Sequence, residues 1–253
     1  MKRTKIAIIT GGSRGLGKNT ALRIAKNGTD VVITYHNNKE MADEVVSQIQ
    51  NLGRKAVAFK LDTGNTKEFA AFIDKVTGYL LQTYQNPNFD FLINNAGTGG
   101  HTSFIDATEE EFDSLVNVHY KGVYFLTQKL LPYLNDGGSI VNISSGLARF
   151  SHPHTSMYAS VKGAIEVVSR ILAVELGARQ IKVNTVAPGA VQTDFNGGVV
   201  RDNENVNKMI AGLTALGRPG VPDDIGGVIA FLCTEDARWI NGQRIEVTGG
   251  MHL

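Results

Sequence analysis

Apolar positions along the chain follow two alternating rhythms. Short runs rich in β-branched residues, near 5–9, 31–35, 56–61, 91–94, 139–143, 182–187 and 244–247, predict strands. Longer stretches near 18–27, 39–52, 67–84, 109–134, 157–178 and 223–233 space their apolar residues three and four apart and predict helices. Alternation of this kind builds an α/β fold, a parallel sheet covered by helices on both faces. One helix start is signed plainly: Thr108 followed by Glu111 three residues on is a capping box. The segment 192–216 breaks the rhythm. It is polar, contains Gly197-Gly198 and an Asn-rich stretch, and follows a strand end, so it is expected to be a lid over a ligand. No repeat, linker or low-complexity stretch interrupts the pattern, and residues 1–253 are expected to form one domain.

Composition narrows the partner. The formal charge of +1 is spread over mixed acidic and basic residues, so neither a nucleic-acid footprint nor a polybasic membrane patch is visible, and a small molecule is expected. Cys233 is the single cysteine; it is expected in the core and suits a reducing compartment. Met1-Lys2-Arg3 resembles the charged end of a signal peptide, but the apolar run Ile6-Ala7-Ile8-Ile9 stops at Thr10-Gly11-Gly12, and a cytoplasmic location is expected. No apolar run is long enough to span a bilayer.

Candidate chemistry begins at the first strand end, Thr10-Gly11-Gly12-Ser13-Arg14-Gly15-Leu16-Gly17. A strand that enters glycines and then a helix aims backbone N–H groups and the positive helix end at a phosphate. The spacing, Gly-x-x-x-Gly-x-Gly, differs from the standard dinucleotide fingerprint. Cofactor choice belongs to the end of the second strand, where an acidic residue would hold the ribose of NAD. Here stand Tyr35, His36 and Asn37, with no carboxylate, and Arg14 can face the same corner, which favours NADPH over NADH as the alternative.

Tyr158 and Lys162 stand four residues apart in a helical pattern, so the ammonium can sit under the phenol ring and favour the phenolate. Bringing a phenol from its usual pKa of ~10 to work near neutrality requires roughly 4 kcal/mol. One cation about 4 Å away in a partly screened site supplies about that much, against burial acting the other way. Tyr35 and Lys39 share the spacing but lie at a strand end, without a hydroxyl partner; Tyr158 has Ser144 and Ser145.

Taken together, the glycine loop, Asn94-Asn95-Ala96-Gly97, Asn117, Ser144-Ser145, Tyr158-Ala-Ser-Val-Lys162, Pro188-Gly189 and Thr193 resemble the short-chain dehydrogenase/reductase family over essentially the whole chain. The resemblance implies a Rossmann-type doubly wound seven-stranded parallel sheet, a nicotinamide cofactor, and a homotetramer or homodimer. By the same resemblance, Gly11, Ser13, Arg14, Gly15, Leu16 and Gly17 would meet the cofactor phosphates, and Asp62 and Thr63 the adenine. Asn94, Ala96 and Gly97 would line the cleft, and Pro188, Gly189, Val191 and Thr193 would flank the nicotinamide. Tyr158 would give a proton to the carbonyl oxygen and Ser145, thirteen residues before it, would hold that oxygen. Lys162 would lower the tyrosine pKa and bind the ribose, and Asn117 would position a water that refills the proton. In reverse, alcohol oxidation would improve at alkaline pH.

The expected activity is NADPH-dependent reduction of a small ketone or aldehyde, reversible as an alcohol dehydrogenase. Reduction of 3-oxoacyl groups on acyl carrier protein is the alternative. Arg179 fits the family's docking position, but 133–138 lacks a basic residue and carries Asp136. A non-catalytic NADP-binding regulator is the reading from another class. Substrate-wall candidates are 98–101, 150–157, 192–216 and 251–253. His101, His152 and His154 have no acidic or cysteine partner at a ligand spacing, so no metal is expected, and His119 reads as a packed helical residue.

Overall fold

The computed structural model describes residues 3–253, so Met1 and Lys2 of the basic start lie outside the described residues. Seven strands, β1 (Ile6–Ile9), β2 (Asp30–Tyr35), β3 (Ala56–Lys60), β4 (Phe89–Asn94), β5 (Leu134–Ile143), β6 (Lys182–Pro188) and β7 (Arg244–Val247), form one sheet ordered β3-β2-β1-β4-β5-β6-β7. Every neighbouring pair is parallel, which makes the molecule the doubly wound Rossmann-type fold expected. The strand order reverses between β1 and β4, and ligands of such sheets bind at the carboxyl ends beside that reversal.

Helices cover both faces: α1 (Gly15–Lys26), α2 (Lys39–Asn51), α3 (Phe69–Tyr84), α4 (Glu109–Val116), α5 (Gly122–Leu130), α6 (Ser156–Glu175), α7 (Val199–Asp202), α8 (Glu204–Leu213) and α9 (Pro222–Leu232). Alternate residues of one strand serve opposite cores. Ala7 and Ile9 of β1 pack in the layer under α1, α2 and α9, while Ile6 and Ile8 pack under α3 and α5. That two-sided burial is why the strands read as unbroken apolar runs. Cys233 lies in the first of these cores, where burial pushes its thiol up to about 12.

The capping box forms, with Glu111 N–H donating to Thr108 Oγ1 at 3.2 Å. Three expectations need correction. The helical run 109–134 is broken: a π-helical turn, Asn117–Lys121, joins α4 to α5, and a 3₁₀ turn, Leu131–Tyr133, ends it. Gly122 N–H bonds to Asn117 O, and a Cβ on Gly122 would meet Thr63 O at 2.0 Å, so the turn is wound where the chain from β3 presses against it. The segment 192–216 is also more regular than expected, since it holds α7 and α8, with Asn203 capping the latter. Its base is tied to the chain after β7: Thr214 bridges Met251, and Leu216 N–H donates to Gly249 O at 3.1 Å. Finally, β5 begins five residues earlier than 139, since Leu134 pairs with Phe89 across a register shift.

Candidate active site

The carboxyl ends of β1, β4, β5 and β6 bring most of the singled-out residues together. At β1 the backbone of the glycine loop folds so tightly that a Cβ on Gly17 would lie 2.2 Å from Gly11 O, and Gly11 itself has φ +64°. The α1 N-terminus that follows has no side-chain cap and no acidic residue in its first turn. Its positive end is therefore left to an anion. Asn95, the second residue of the Asn94-Asn95-Ala96-Gly97 motif, fixes this loop to β4: its Nδ2 donates to Thr10 O at 2.9 Å and Gly11 O at 3.0 Å. Thr10 Oγ1 in turn accepts the Asn95 and Ala96 N–H groups, each at 3.0 Å. Asn94 points the other way, into a buried chain in which its Nδ2 donates to Thr127 Oγ1 and Asn142 Oδ1, so its role is to join α5 to the sheet.

At the end of β2, Tyr35 is half-buried and His36 and Asn37 are exposed. His36 Nε2 lies 3.9 Å from Asp62 Oδ2, so the β2 end and the expected adenine contact Asp62 are neighbours. Arg14 is exposed and lies 4.0 Å from Asp194 rather than bonded into the β2 corner. A solvated pair of that length contributes at most about 1 kcal/mol, so the guanidinium is free to exchange a carboxylate for a phosphate. Glycine cradle, uncapped helix and carboxylate-free β2 end together fit a dinucleotide carrying a 2'-phosphate. On the far side, Gly189 N–H donates to Val247 O at 3.1 Å, and Val191 pairs with Gly220 while Thr193 Oγ1 accepts from Phe195 N–H at 3.2 Å. Pro188, Gly189, Val191 and Thr193 thus form the β6 wall opposite the glycine loop, with Thr193 3.7 Å from the position of a Gly15 Cβ.

Tyr158 and Lys162 lie on the buried face of α6, and Lys162 Nζ stands 5.5 Å from the centre of the Tyr158 ring. Its ammonium is anchored by donating to Ile143 O at 2.8 Å, at the end of β5. Two adjacent serines at that strand end take opposite tasks. Ser144 Oγ donates to Glu166 Oε1 at 2.6 Å, and Arg244 Nε donates to the same oxygen at 2.6 Å, while Ser145 hydrogen-bonds Tyr158. Ser145 Oγ also accepts Leu147 N–H at 3.2 Å, which leaves its O–H for a partner in the cleft. The hydroxyl facing the tyrosine is Ser145.

The electrostatics differ from the expectation. Burial drives the Tyr158 phenol above its usual range, with only the Ser145 hydrogen bond pulling it down, and burial lowers Lys162 to about 7. The cause is burial: Nζ stands 5.5 Å from the ring centre inside the fold, so both groups lose hydration.

Asn117 is the one expected catalytic residue that no side-chain contact ties to the others. It begins the π turn and gives its carbonyl to Gly122. Two residues on, His119 is buried, with its ring 5.3 Å from the Tyr158 ring and at 86° to it. The π turn was not legible in the apolar spacing, and the sequence carried no signal that its histidine would face the tyrosine.

A cavity of about 390 Å³ opens at the start of α6, lined by Thr98, Gly99, Gly100, His101, Leu115 and Met157 among others. The expected wall residues 98–101 and Met157 therefore share one space. At its mouth His101 stacks near His154 and His152, with ring centres 5.2 and 6.2 Å away. Among the described residues no three His, Cys, Asp or Glu side chains converge as metal ligands would. Nor is any described helix long and apolar enough to cross a membrane.

A family profile described as enoyl-(acyl carrier protein) reductase matches residues 11–252. The hydroxynaphthalene reductase-like protein Arp2 of Metarhizium brunneum is 37% identical over 257 residues, covering 97% of this chain and 94% of its own. Among solved structures, the promiscuous reductase LugOII, which catalyses keto-reduction at C1 in lugdunomycin biosynthesis, superposes with a TM-score of 0.94 at 35% identity, over 98% of both chains. The landomycin C-6 ketoreductase LanV, solved with NADP and rabelomycin, superposes with a TM-score of 0.89 at 33% identity, over 97% of this chain and 95% of its own.

Proposed function

The chain belongs to the short-chain dehydrogenase/reductase family, and on that premise we propose that it is an NADPH-dependent ketoreductase, acting on a small ketone or aldehyde and reversible as an alcohol dehydrogenase. The observation that carries this reading is the convergence of Ser145 and Lys162 on Tyr158 at the end of β5, in a sheet whose first strand end carries the glycine cradle. NADPH, when bound, supplies the hydride. The α1 N-terminus and the backbone of residues 11–17 would hold its phosphates, Arg14 with His36 and Asn37 the 2'-phosphate, and Asp62 and Thr63 the adenine. Ala96, Gly97 and the β6 wall would line the rest of the cleft.

Tyr158 Oη gives its proton to the carbonyl oxygen as negative charge develops there, and Ser145 Oγ–H holds the same oxygen. Lys162, fixed by Ile143 O, stands where its ammonium would stabilise the phenolate once the proton has left. The segment 192–216 serves as the lid, and residues 1–253 act as one catalytic domain. A cytoplasmic setting goes with this reading.

The carrier-protein alternative is less well supported because Arg179 is already engaged. Its Nε pairs with Asp136 Oδ1 at 2.7 Å, Nη1 donates to Leu131 O at 3.0 Å and Nη2 to Leu134 O. A guanidinium so used pins the start of β5 and offers little to an incoming phosphate. The direct test is oxidation of NADPH, and separately NADH, against aryl ketones, ketoesters, sugars and a 3-oxoacyl thioester, with Tyr158→Phe alongside. Turnover of a free ketone, lost by about a thousandfold in Tyr158→Phe with NADPH affinity unchanged, is the expected result. Cofactor binding with no turnover of any carbonyl would favour the non-catalytic regulator.

A further inference from the structure

We propose that His119 is a positioning residue in the proton path of Tyr158: its Nε2–H is held by Thr98 O, and its Nδ1 is a fixed, buried acceptor that orients the water refilling the tyrosine through Lys162. This rests on the reductase reading above and gives to His119 the task that the family resemblance assigns to Asn117.

The imidazole is 1% exposed, lies against the Tyr158 ring, and is close enough to Lys162 to feel its charge. Its position is built for it, since a Cβ on Gly97 would fall 2.6 Å from His119 Cε1. Two contacts compete for Nε2. It can donate to Thr98 O at 2.7 Å or accept from Thr98 N–H at 3.2 Å, and the shorter bond selects the tautomer protonated at Nε2. Nδ1 then carries a lone pair, and among the described residues it has no partner. An unmade buried hydrogen bond costs about 1–3 kcal/mol, so a ring with no further task would be a poor choice here. Lys162 Nζ gives one N–H to Ile143 O and has two more to place. A single water between them satisfies both, with Nδ1 accepting from it and the ammonium donating to it.

The proton balance is simple. When Tyr158 Oη yields its proton to the substrate oxygen, Lys162 returns one to Oη, the water returns one to Lys162, and solvent restores the water. His119 starts and ends neutral. Burial and the Lys162 charge lower its pKa to about 3, which suits an acceptor that holds the water still and excludes a carrier that charges and discharges near neutrality. The titratable groups facing the ring are Tyr158 and Lys162, both from α6. The π turn explains the choice of residue, because the extra residue it inserts into the helix rotates His119 toward α6.

The test compares wild type, His119→Phe, His119→Gln and Asn117→Ala with a ketone that wild type reduces. His119→Phe keeps a buried ring and is expected to lower kcat about 100-fold, with KM and NADPH affinity within about twofold and a larger solvent deuterium isotope effect. His119→Gln, whose amide oxygen can accept in place of Nδ1, is expected to recover kcat to within about fivefold of wild type, and Asn117→Ala to stay within about threefold. Wild-type kcat in folded His119→Phe, or an Asn117→Ala loss as large as that of His119→Phe, would overturn the assignment. A second arm needs no turnover and no variant: ¹⁵N imidazole shifts should show His119 neutral and protonated at Nε2 from mildly acid to alkaline pH. A proton on Nδ1, or a charged ring near neutrality, would overturn it. If wild type reduces no ketone, the reductase reading has failed, and this tautomer measurement still judges His119 by itself.

Discussion

Lys162 is the residue whose burial is hardest to explain by stability. Its folded pKa is about 7 against 10.5 unfolded, so between those values the unfolded chain holds more protons and the folded state gains stability as pH rises. At and below pH 7 the buried ammonium is a standing cost. Lys162→Met should therefore remove turnover while raising stability at neutral pH by about 1–3 kcal/mol, an advantage that shrinks as pH approaches 10.5. Urea unfolding across that range checks it, and a variant less stable than wild type at pH 7 would show that the bond to Ile143 O outweighs the desolvation. The spacing of Tyr158 and Lys162 made their shared face legible in the sequence. The choice between Ser144 and Ser145 followed there only from the family's spacing, because it is set by Glu166 and Arg244, partners that lie far along the chain.

Strands were more legible than helices, because buried parallel strands announce themselves as apolar runs, whereas a helix can change its winding without changing its spacing pattern. The turn at 117–121 is the clearest case. Its cause is the Thr63 carbonyl, which stands where a Gly122 side chain would go. Gly122→Ala should lose about 1–3 kcal/mol, and it should depress kcat as well by shifting His119 against Tyr158. Stability lost without a change in kcat would mean that the turn serves packing alone. The helix α8 could have been found, since Val206, Met209, Ile210 and Leu213 keep helical spacing behind an Asn203 cap. Neighbouring glycines and asparagines masked it.

On the whole molecule, the side of α6 that faces solvent carries Val167, Ile171 and Val174 in one stripe, the last 81% exposed, with Tyr124 and Phe125 of α5 also exposed. An aligned apolar stripe of this kind is the sort of surface that the homodimer or homotetramer implied by the resemblance would bury. Replacing Ile171 and Val174 together by Glu should shift the sedimentation profile to a smaller species with NADPH binding retained. A wild type that sediments as a monomer at working concentrations would remove the idea. Such association would pack α6, and with it Tyr158 and Lys162, more firmly than one chain does.

The bridge from Thr214 to Met251 has a dynamic consequence. Because Ala215 and Leu216 donate to Gly250 O and Gly249 O, their amide protons belong to the same opening unit as the edge strand β7, not to the helices just before them. Hydrogen exchange should therefore divide this region near residue 214. Amides of 204–212 should exchange through small local openings, while those of 215 and 216 should wait for β7 to open.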